Sequence, residues 1–295
     1  MRFILCYLID NFIMGLVYLN GEYKPIEEAS VNVLDRGFIF GDGVYEVIPI
    51  FNRKIFRFDE HIRRLENSLK AIYMNNPLEK KEWHNIFNRL INSSEHLNQS
   101  IYLQITRGVS ERDHDISVAD KPTIFAMIRP IEKNDFSSGI KAITHEDIRW
   151  QCCDIKAITL LPSILLRHKA KQQGAREAIL IRNGYVTEGA ASNIFVCDNG
   201  KIVTPPKTNH VLAGITRDLV VEILLENNLP LTEESISENT LLAADEIWVT
   251  SSTWEILPVL ELDDKSVGTG ASSGPGPLWQ EINHHYQEFK GAYCN

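Results

Sequence analysis

The chain is poor in the residues that build a covalently stapled or metal-held fold. Its 295 residues include only five cysteines, Cys6, Cys152, Cys153, Cys197 and Cys294. An odd number at irregular spacing, with no CxxC, excludes a disulfide framework and a zinc knuckle alike. Nine histidines are present but no HExxH, and no metal site is expected. Adjacent Cys152 and Cys153 read as small buried residues rather than a reactive pair. Long apolar runs are lacking too. Residues 1–19 come nearest, yet Asp10 and Asn11 interrupt them. No small-residue cleavage site follows, and the run is too short to span a bilayer. Residues 1–13 therefore read as an appendage to a domain that begins near Met14. No membrane partner is expected, and the default location is cytoplasmic. Positive charge is scarce as well. Lys and Arg number 30 against 39 Asp and Glu, leaving a net charge of -9. That is the opposite of the basic footprint nucleic-acid binding needs. An acidic chain that takes an anionic ligand must place its few cations locally.

What is present is 44% hydrophobic sequence, enough to bury a core in each of two ordinary domains. Residues 44–51 read as a strand, which Pro49 makes an edge or locally irregular one. Asp59 opens a helix with Ile62, Leu65, Leu69 and Ile72 on one face, and Trp83, Ile86, Phe87, Leu90 and Ile91 mark a second. Residues 101–106 alternate as a half-buried strand should, and 123–128 supply another. The first half, residues 14–130, is thus a small α/β domain. A polar stretch without periodicity, 131–138, is the linker. Residues 139–295 form the larger domain. It opens with expected strands at 140–144 and 155–160, then a helix between Pro162 and Gly174. Asn183-Gly184 and Asn199-Gly200 each sit between short strands, a strong hairpin signal. A helix over 215–227 turns Ile215, Leu219, Val220, Ile223 and Leu224 inward, and 246–250 is a strand. Residues 268–277 are a Gly/Ser/Pro loop before a short terminal helix. There are no internal repeats.

Several short features bear on chemistry, and each alone has an ordinary explanation. Gly214-Ile215-Thr216 opens a helix, where free N–H groups and the dipole favour an anion, although most such starts are only caps. Ser251-Ser252-Thr253 lies just past a strand and can form a second anion nest. Arg64 could supply a cation, or be solvated like most helix arginines. Lys156 sits in the mostly apolar run Ile155-Lys156-Ala157-Ile158. It is either a strand lysine in solvent or a desolvated amine fit to form a Schiff base. Glu188 stands beside a turn, and a buried glutamate there needs a protonated partner.

Six blocks settle which explanation to prefer. They are Asp35-Arg36-Gly37-Phe38-Ile39-Phe40-Gly41-Asp42-Gly43-Val44-Tyr45-Glu46, Asp59-Glu60-His61, residues 153–156, 186–195, 214–218 and 249–255. In order and spacing the chain resembles the D-amino-acid aminotransferases, which are fold-type IV pyridoxal 5'-phosphate (PLP) enzymes, from about Gly15 to the terminal helix. The resemblance implies a two-domain α/β (α+β) fold, whose larger C-terminal domain has a β-barrel-like core. It implies that Lys156 carries PLP and moves the proton at the substrate α-carbon, and that Glu188 pairs with the pyridine nitrogen. It assigns Arg64, Ile215, Thr216, Ser251 and Ser252 to the phosphate, and Leu212 to packing on the ring.

The same resemblance implies that Arg112 and His114, with Tyr45, grip the substrate α-carboxylate. A planar guanidinium fork and an imidazole donor suit that task. Otherwise Glu111-Arg112-Asp113-His114 is a solvated charged loop. The implied reaction is transamination of D-amino acids, D-alanine among them, with 2-oxoglutarate, giving a 2-oxo acid and D-glutamate. The implied assembly is a homodimer in which this loop serves the neighbouring site. The alternatives within the family are a branched-chain L-amino-acid aminotransferase and aminodeoxychorismate lyase. One departure stands out. Two hydroxyl residues common in the family after the Glu-Gly pair are here Ala190 and Ala191, so a hydroxyl relay there would be missing or filled by water.

Overall fold

The computed structural model describes residues 15–119, 121–132, 136–268 and 274–294. The expected appendage 1–13, Cys6 and residues 269–273 of the Gly/Ser/Pro loop lie outside these residues. The chain divides into two compact units, 1–132 with 156–159, and 133–155 with 160–295. The short excursion 156–159 carries Lys156 into the first unit.

The first unit is a six-stranded antiparallel sheet in the order β2-β1-β6-β5-β3-β4. Its strands are β1 (Leu16–Leu19), β2 (Glu22–Pro25), β3 (Gly43–Phe51), β4 (Lys54–Ile55), β5 (Gln99–Thr106) and β6 (Thr123–Pro130). The helices are α1 (Arg36–Phe40), α2 (Phe58–Ala71) and α3 (Lys80–Asn92). Buried Ile62, Leu65 and Leu69 seat α2 on β3, and α3 buries Trp83, Ile86, Phe87, Leu90 and Ile91. These are the expected stripes, except that Ile72 lies just past the end of α2 and is only half-buried. Along β3 the outer side meets β4 at Ile50 and Phe51 and residues 156–158 at Gly43 to Tyr45, with no strand partner at Pro49 among the described residues. Pro49 thus stands on what is nearly an edge, where a missing N–H costs little.

The second unit holds a nine-stranded sheet in the order β12-β11-β10-β13-β14-β7-β8-β9, with β15 beside β14. The strands are β7 (Ile140–Glu146), β8 (Glu177–Arg182), β9 (Tyr185–Gly189), β10 (Asn193–Asp198), β11 (Lys201–Thr204), β12 (Leu231–Glu233), β13 (Glu246–Ser251), β14 (Glu255–Leu262) and β15 (Lys265–Ser266). The sheet curls until its end strand β9 meets β10, making a half-barrel. Ile140, Ile179, Ile194, Val196, Val249 and Leu257 belong to its buried core. Around it lie α4 (Leu161–Gln172), α5 (Ile215–Glu226), α6 (Glu238–Leu242) and α7 (Pro277–Cys294). Both Asn-Gly pairs adopt positive φ at both residues, the conformation of the hairpin turn that matches strand twist.

One expected element is absent. Residues 155–160 are not a strand. They meet β3 through two bonds only, Tyr45 N to the Lys156 carbonyl (2.9 Å) and Ile158 N to the Gly43 carbonyl (3.1 Å), with one bridge between Val44 and Ala157. The apolar run reflects partial burial in an irregular crossing. Cys153 is buried as expected, and burial pushes its thiol up to about 11. Cys152 is exposed, so only one of the pair is a core residue.

Candidate active site

In the first unit the site residues gather on β3, α2 and the crossing at 156–159. Lys156 is half-buried, and its Nζ stands 4.3 Å from the centroid of the Tyr45 ring. The Lys156 N–H donates to Ser68 Oγ on α2 (3.2 Å), which with the Tyr45 N bond fixes the lysine main chain from two sides. Sequence reading named Lys156, Tyr45 and Arg64, and the structure places all three on these elements. Glu46 and His61 stood in the quoted blocks without a role, and Ser68 was not named. Glu46 is fully buried and accepts from Arg64 Nε and Nη2, both at 2.7 Å, and from His61 Nδ1 at 2.9 Å. A carboxylate only accepts, so the proton of that bond sits on Nδ1. Burial opposes its charge, but the Arg64 guanidinium and the His61 bond hold its carboxyl well below the usual range. Burial also lowers His61, outweighing Glu46. The spacing of His61 and Arg64, three residues apart on α2, was the available signal.

Arg112 and His114 lie together at the surface of this unit, each against the ring of Phe40. The Arg112 guanidinium is 5.4 Å from the ring centroid and the His114 ring 5.7 Å from it. Both side chains are exposed.

The second unit surrounds Glu188, at the end of β9 and 4% exposed. Its Oε1 accepts from Arg149 Nη1, and its Oε2 from Asn193 Nδ2 and Leu212 N, both at 3.0 Å. Burial pushes its carboxyl up to about 7, with Arg149 and the Leu212 amide pulling the other way. Arg149 is itself fixed by Asp147, from Nε to Oδ1 (2.9 Å) and Nη2 to Oδ2 (3.0 Å). Asp147 also takes Arg182 and the Thr187 hydroxyl. Arg149 and Asn193 are contacts that sequence reading missed. Asn193 lies in a quoted block, but nothing in the spacing singles out Arg149. Asn193 Nδ2 donates again to the Leu212 carbonyl (2.8 Å), tying the half-buried Leu212, three residues before α5, to the start of β10. No side chain caps that helix after Gly214, so the amides at Ile215 and Thr216 keep their affinity for an anion. Ser251 ends β13 and Ser252 follows it. Thr250, between them and the register partner Asn193, buries a hydroxyl with no partner among the described residues.

The groups of the second unit fit the ring and phosphate of PLP, which need an acceptor for the ring nitrogen and amides or hydroxyls for the phosphate; in the first unit the Lys156 amine fits its aldehyde. A carboxylate offers about four acceptor positions, and three donors converge on Glu188, leaving one for a ring N–H. Beyond Glu188, the one hydroxyl retained near Ala190 and Ala191 is Ser192. It donates to buried Glu177 at 2.8 Å.

Residues 43–262 match the Amino-transferase class IV family. The chain is similar to the D-alanine aminotransferase of Bacillus licheniformis, 40% identical over 90% of this chain and 94% of that protein. It is 36% identical to the D-alanine aminotransferase of Staphylococcus haemolyticus, over 94% of this chain and 98% of that one. Among solved structures it is similar to the branched-chain amino acid aminotransferase of Escherichia coli. That likeness has a TM-score of 0.85 at 26% identity, and covers 92% of this chain and 93% of that one.

Proposed function

The chain belongs to the class IV aminotransferases, and from that membership we propose that it transfers amino groups from D-amino acids, D-alanine among them, to 2-oxoglutarate, giving a 2-oxo acid and D-glutamate. PLP, when bound, supplies an electron sink for the pair left behind by deprotonation at the substrate α-carbon. Lys156 Nζ takes and returns that proton, its main chain held by Ser68 and Tyr45. Glu188 as a carboxylate keeps the proton on the ring nitrogen. The first amides of α5, at Ile215 and Thr216, hold the phosphate together with the Ser251 and Ser252 hydroxyls. Arg64 adds a positive charge whose direction its pairing with Glu46 fixes. Leu212 packs on the ring.

The observation that carries the D-specific reading is that Arg112 and His114, the two donors assigned to the carboxylate, both stand against the ring of Phe40. Holding the carboxylate decides which enantiomer turns its α-hydrogen toward Lys156. A branched-chain L-specific reading is favoured by the likeness to the Escherichia coli structure. It leaves these two side chains without a task, and the identity to the D-alanine enzymes is higher. The deciding experiment is transamination of 2-oxoglutarate by D-alanine, L-alanine, L-leucine and L-valine. Turnover confined to D-alanine supports the proposal. Turnover of L-leucine or L-valine replaces it with the branched-chain reading.

We also take the protein to be a cytoplasmic homodimer, with a linker at 131–138 between domains 14–130 and 139–295. No helix among the described residues is long and apolar enough to cross a membrane. Val33 (70% exposed) and Phe38 (72%), with Val31, Leu34, Val109, Ile116 and Val118, bring apolar surface to the two segments that carry α1 and the Arg112 loop. Apolar surface of that kind marks a protein interface, and a second copy of the chain is the partner taken here. Light scattering of the purified protein at twice the monomer mass supports this, and the 33.6 kDa monomer refutes it.

A further inference from the structure

The carboxylate reading leaves open what holds two exposed side chains in one arrangement. Fixing a side chain as long as arginine costs rotamer freedom, and the segment around Arg112 has no regular structure beyond a single 3-10 turn, Ile116–Val118. The fastening comes from below. Arg36, on α1, is 4% exposed. Its Nε donates to Asp42 Oδ2 (2.8 Å), and its Nη1 donates to the carbonyl of Asp113 (2.7 Å) and, at longer range, to that of Asp115 (3.4 Å). These carbonyls flank His114. The guanidinium also stands 4.8 Å from the centroid of the Phe40 ring, the ring that Arg112 and His114 share. At the root of the segment, Arg107 donates to the same Asp42 from Nε (2.8 Å) and Nη2 (3.0 Å). Burial opposes the charge of Asp42, yet the two arginines hold its carboxyl below the ordinary value. The Arg36 N–H donates to the Gly108 carbonyl (2.8 Å), and Asp35 bridges Val109. Gly108 cannot take a side chain, because its φ is +97° and a Cβ would strike the Lys121 carbonyl oxygen.

We propose that Arg36 is a positioning residue for the substrate carboxylate. Anchored on Asp42, it fixes the main chain on both sides of His114 and, through Phe40, the direction of Arg112, so that D-enantiomer preference depends on a buried residue that does not touch substrate. The inference rests on the carboxylate reading of Arg112 and His114. A lysine at this position keeps the charge but lacks the planar fork that reaches Asp42 and the Asp113 carbonyl together.

The test compares the PLP-loaded wild type with Arg36→Lys, Arg112→Ala and the double variant, using D-alanine and L-alanine against 2-oxoglutarate. Arg36→Lys is expected to raise KM for D-alanine about tenfold with kcat within about threefold, and to lower the preference for D- over L-alanine. In the Arg112→Ala background, Arg36→Lys should add less than about twofold, because the group it positions is gone. Unchanged KM and D/L preference in folded Arg36→Lys would overturn the proposal. So would effects that multiply in the double variant, the mark of a purely structural role. If Arg112→Ala itself leaves D-alanine kinetics unaltered, the carboxylate reading falls and this inference falls with it. Should Arg36→Lys fail to fold, Phe40→Leu takes its place, with the same KM rise expected and an unchanged KM refuting the idea.

Discussion

Three donors converge on Glu188, and they are unequal in consequence. Asn193 and the Leu212 amide are neutral, whereas Arg149 brings the one positive charge among the three. With that charge in place, burial still pushes the carboxyl up to about 7. Without it, a desolvated carboxyl rises further and is neutral at physiological pH. A neutral acid no longer holds a proton on a ring nitrogen. Arg149→Met is therefore expected to raise the PLP concentration for half-saturation at least about tenfold, beside a stability loss of about 3 kcal/mol from breaking a buried ion pair by removing one partner. Spectrophotometric titration of apoprotein with PLP reads the first effect and chemical denaturation the second. Unchanged PLP binding would mean that Glu188 does not meet the ring. Asp147→Asn loosens the orientation of Arg149 but also removes a carboxylate whose charge raises Glu188, so its effect on PLP binding should stay well below that of Arg149→Met.

At the level of elements, the start of α5 depends on a missing side chain. A Cβ on Gly214 would collide with Asn193 Oδ1, the amide that bonds both Glu188 and the Leu212 carbonyl. Gly214→Ala must displace either Asn193 or the first turn of the helix, disturbing the ring acceptor and the phosphate seat together. The expected result is weaker PLP binding, with overpacking costing about 1–3 kcal/mol of stability. A variant with wild-type PLP affinity would show that the two are independent. Elements such as α5 were readable in the sequence because burial repeats with the helix period, and its five expected inward residues are all buried. The two Asn-Gly turns were readable because few residues take positive φ at successive positions. Residues 155–160 misled because an apolar run records burial and not hydrogen bonding. The strand β14 went unread, since Pro258 and a nearly continuous burial pattern hide its period. At the site, Lys156 and Glu188 were reached through the blocks around them. The contact of Glu46 with His61 and Arg64 joins residues 15 and 18 positions apart, and that of Arg149 with Glu188 spans 39. Such pairs have no local period to betray them.

For the whole molecule these buried groups set opposing responses to pH. In the first unit Glu46 and His61 both titrate below their ordinary values. Their contribution is complete above about 6.5 and is lost on acidification, as the unfolded chain takes up protons first on histidine and then on carboxylate. In the second unit burial raises Glu188 to about 7 and also raises Glu177, against their hydrogen bonds. Their contribution is complete below about 4.5 and is lost as pH rises toward 7. For Glu188, a rise from 4.5 to about 7 corresponds to roughly 3 kcal/mol. Trp83 is the sole tryptophan of the first unit, while Trp150, Trp248, Trp254 and Trp279 lie in the second. Denaturation of the apoprotein between pH 4 and 8, followed by fluorescence with Trp83→Phe to isolate the second unit, should then show stability falling as pH rises. Glu188→Gln should flatten that fall. PLP should flatten it as well, because a protonated ring nitrogen beside Glu188 returns the carboxyl to its ionised form without the cost of leaving it unpaired. Parallel curves for apoprotein and holoenzyme above pH 5 would separate Glu188 from the ring and remove the acceptor role proposed for it.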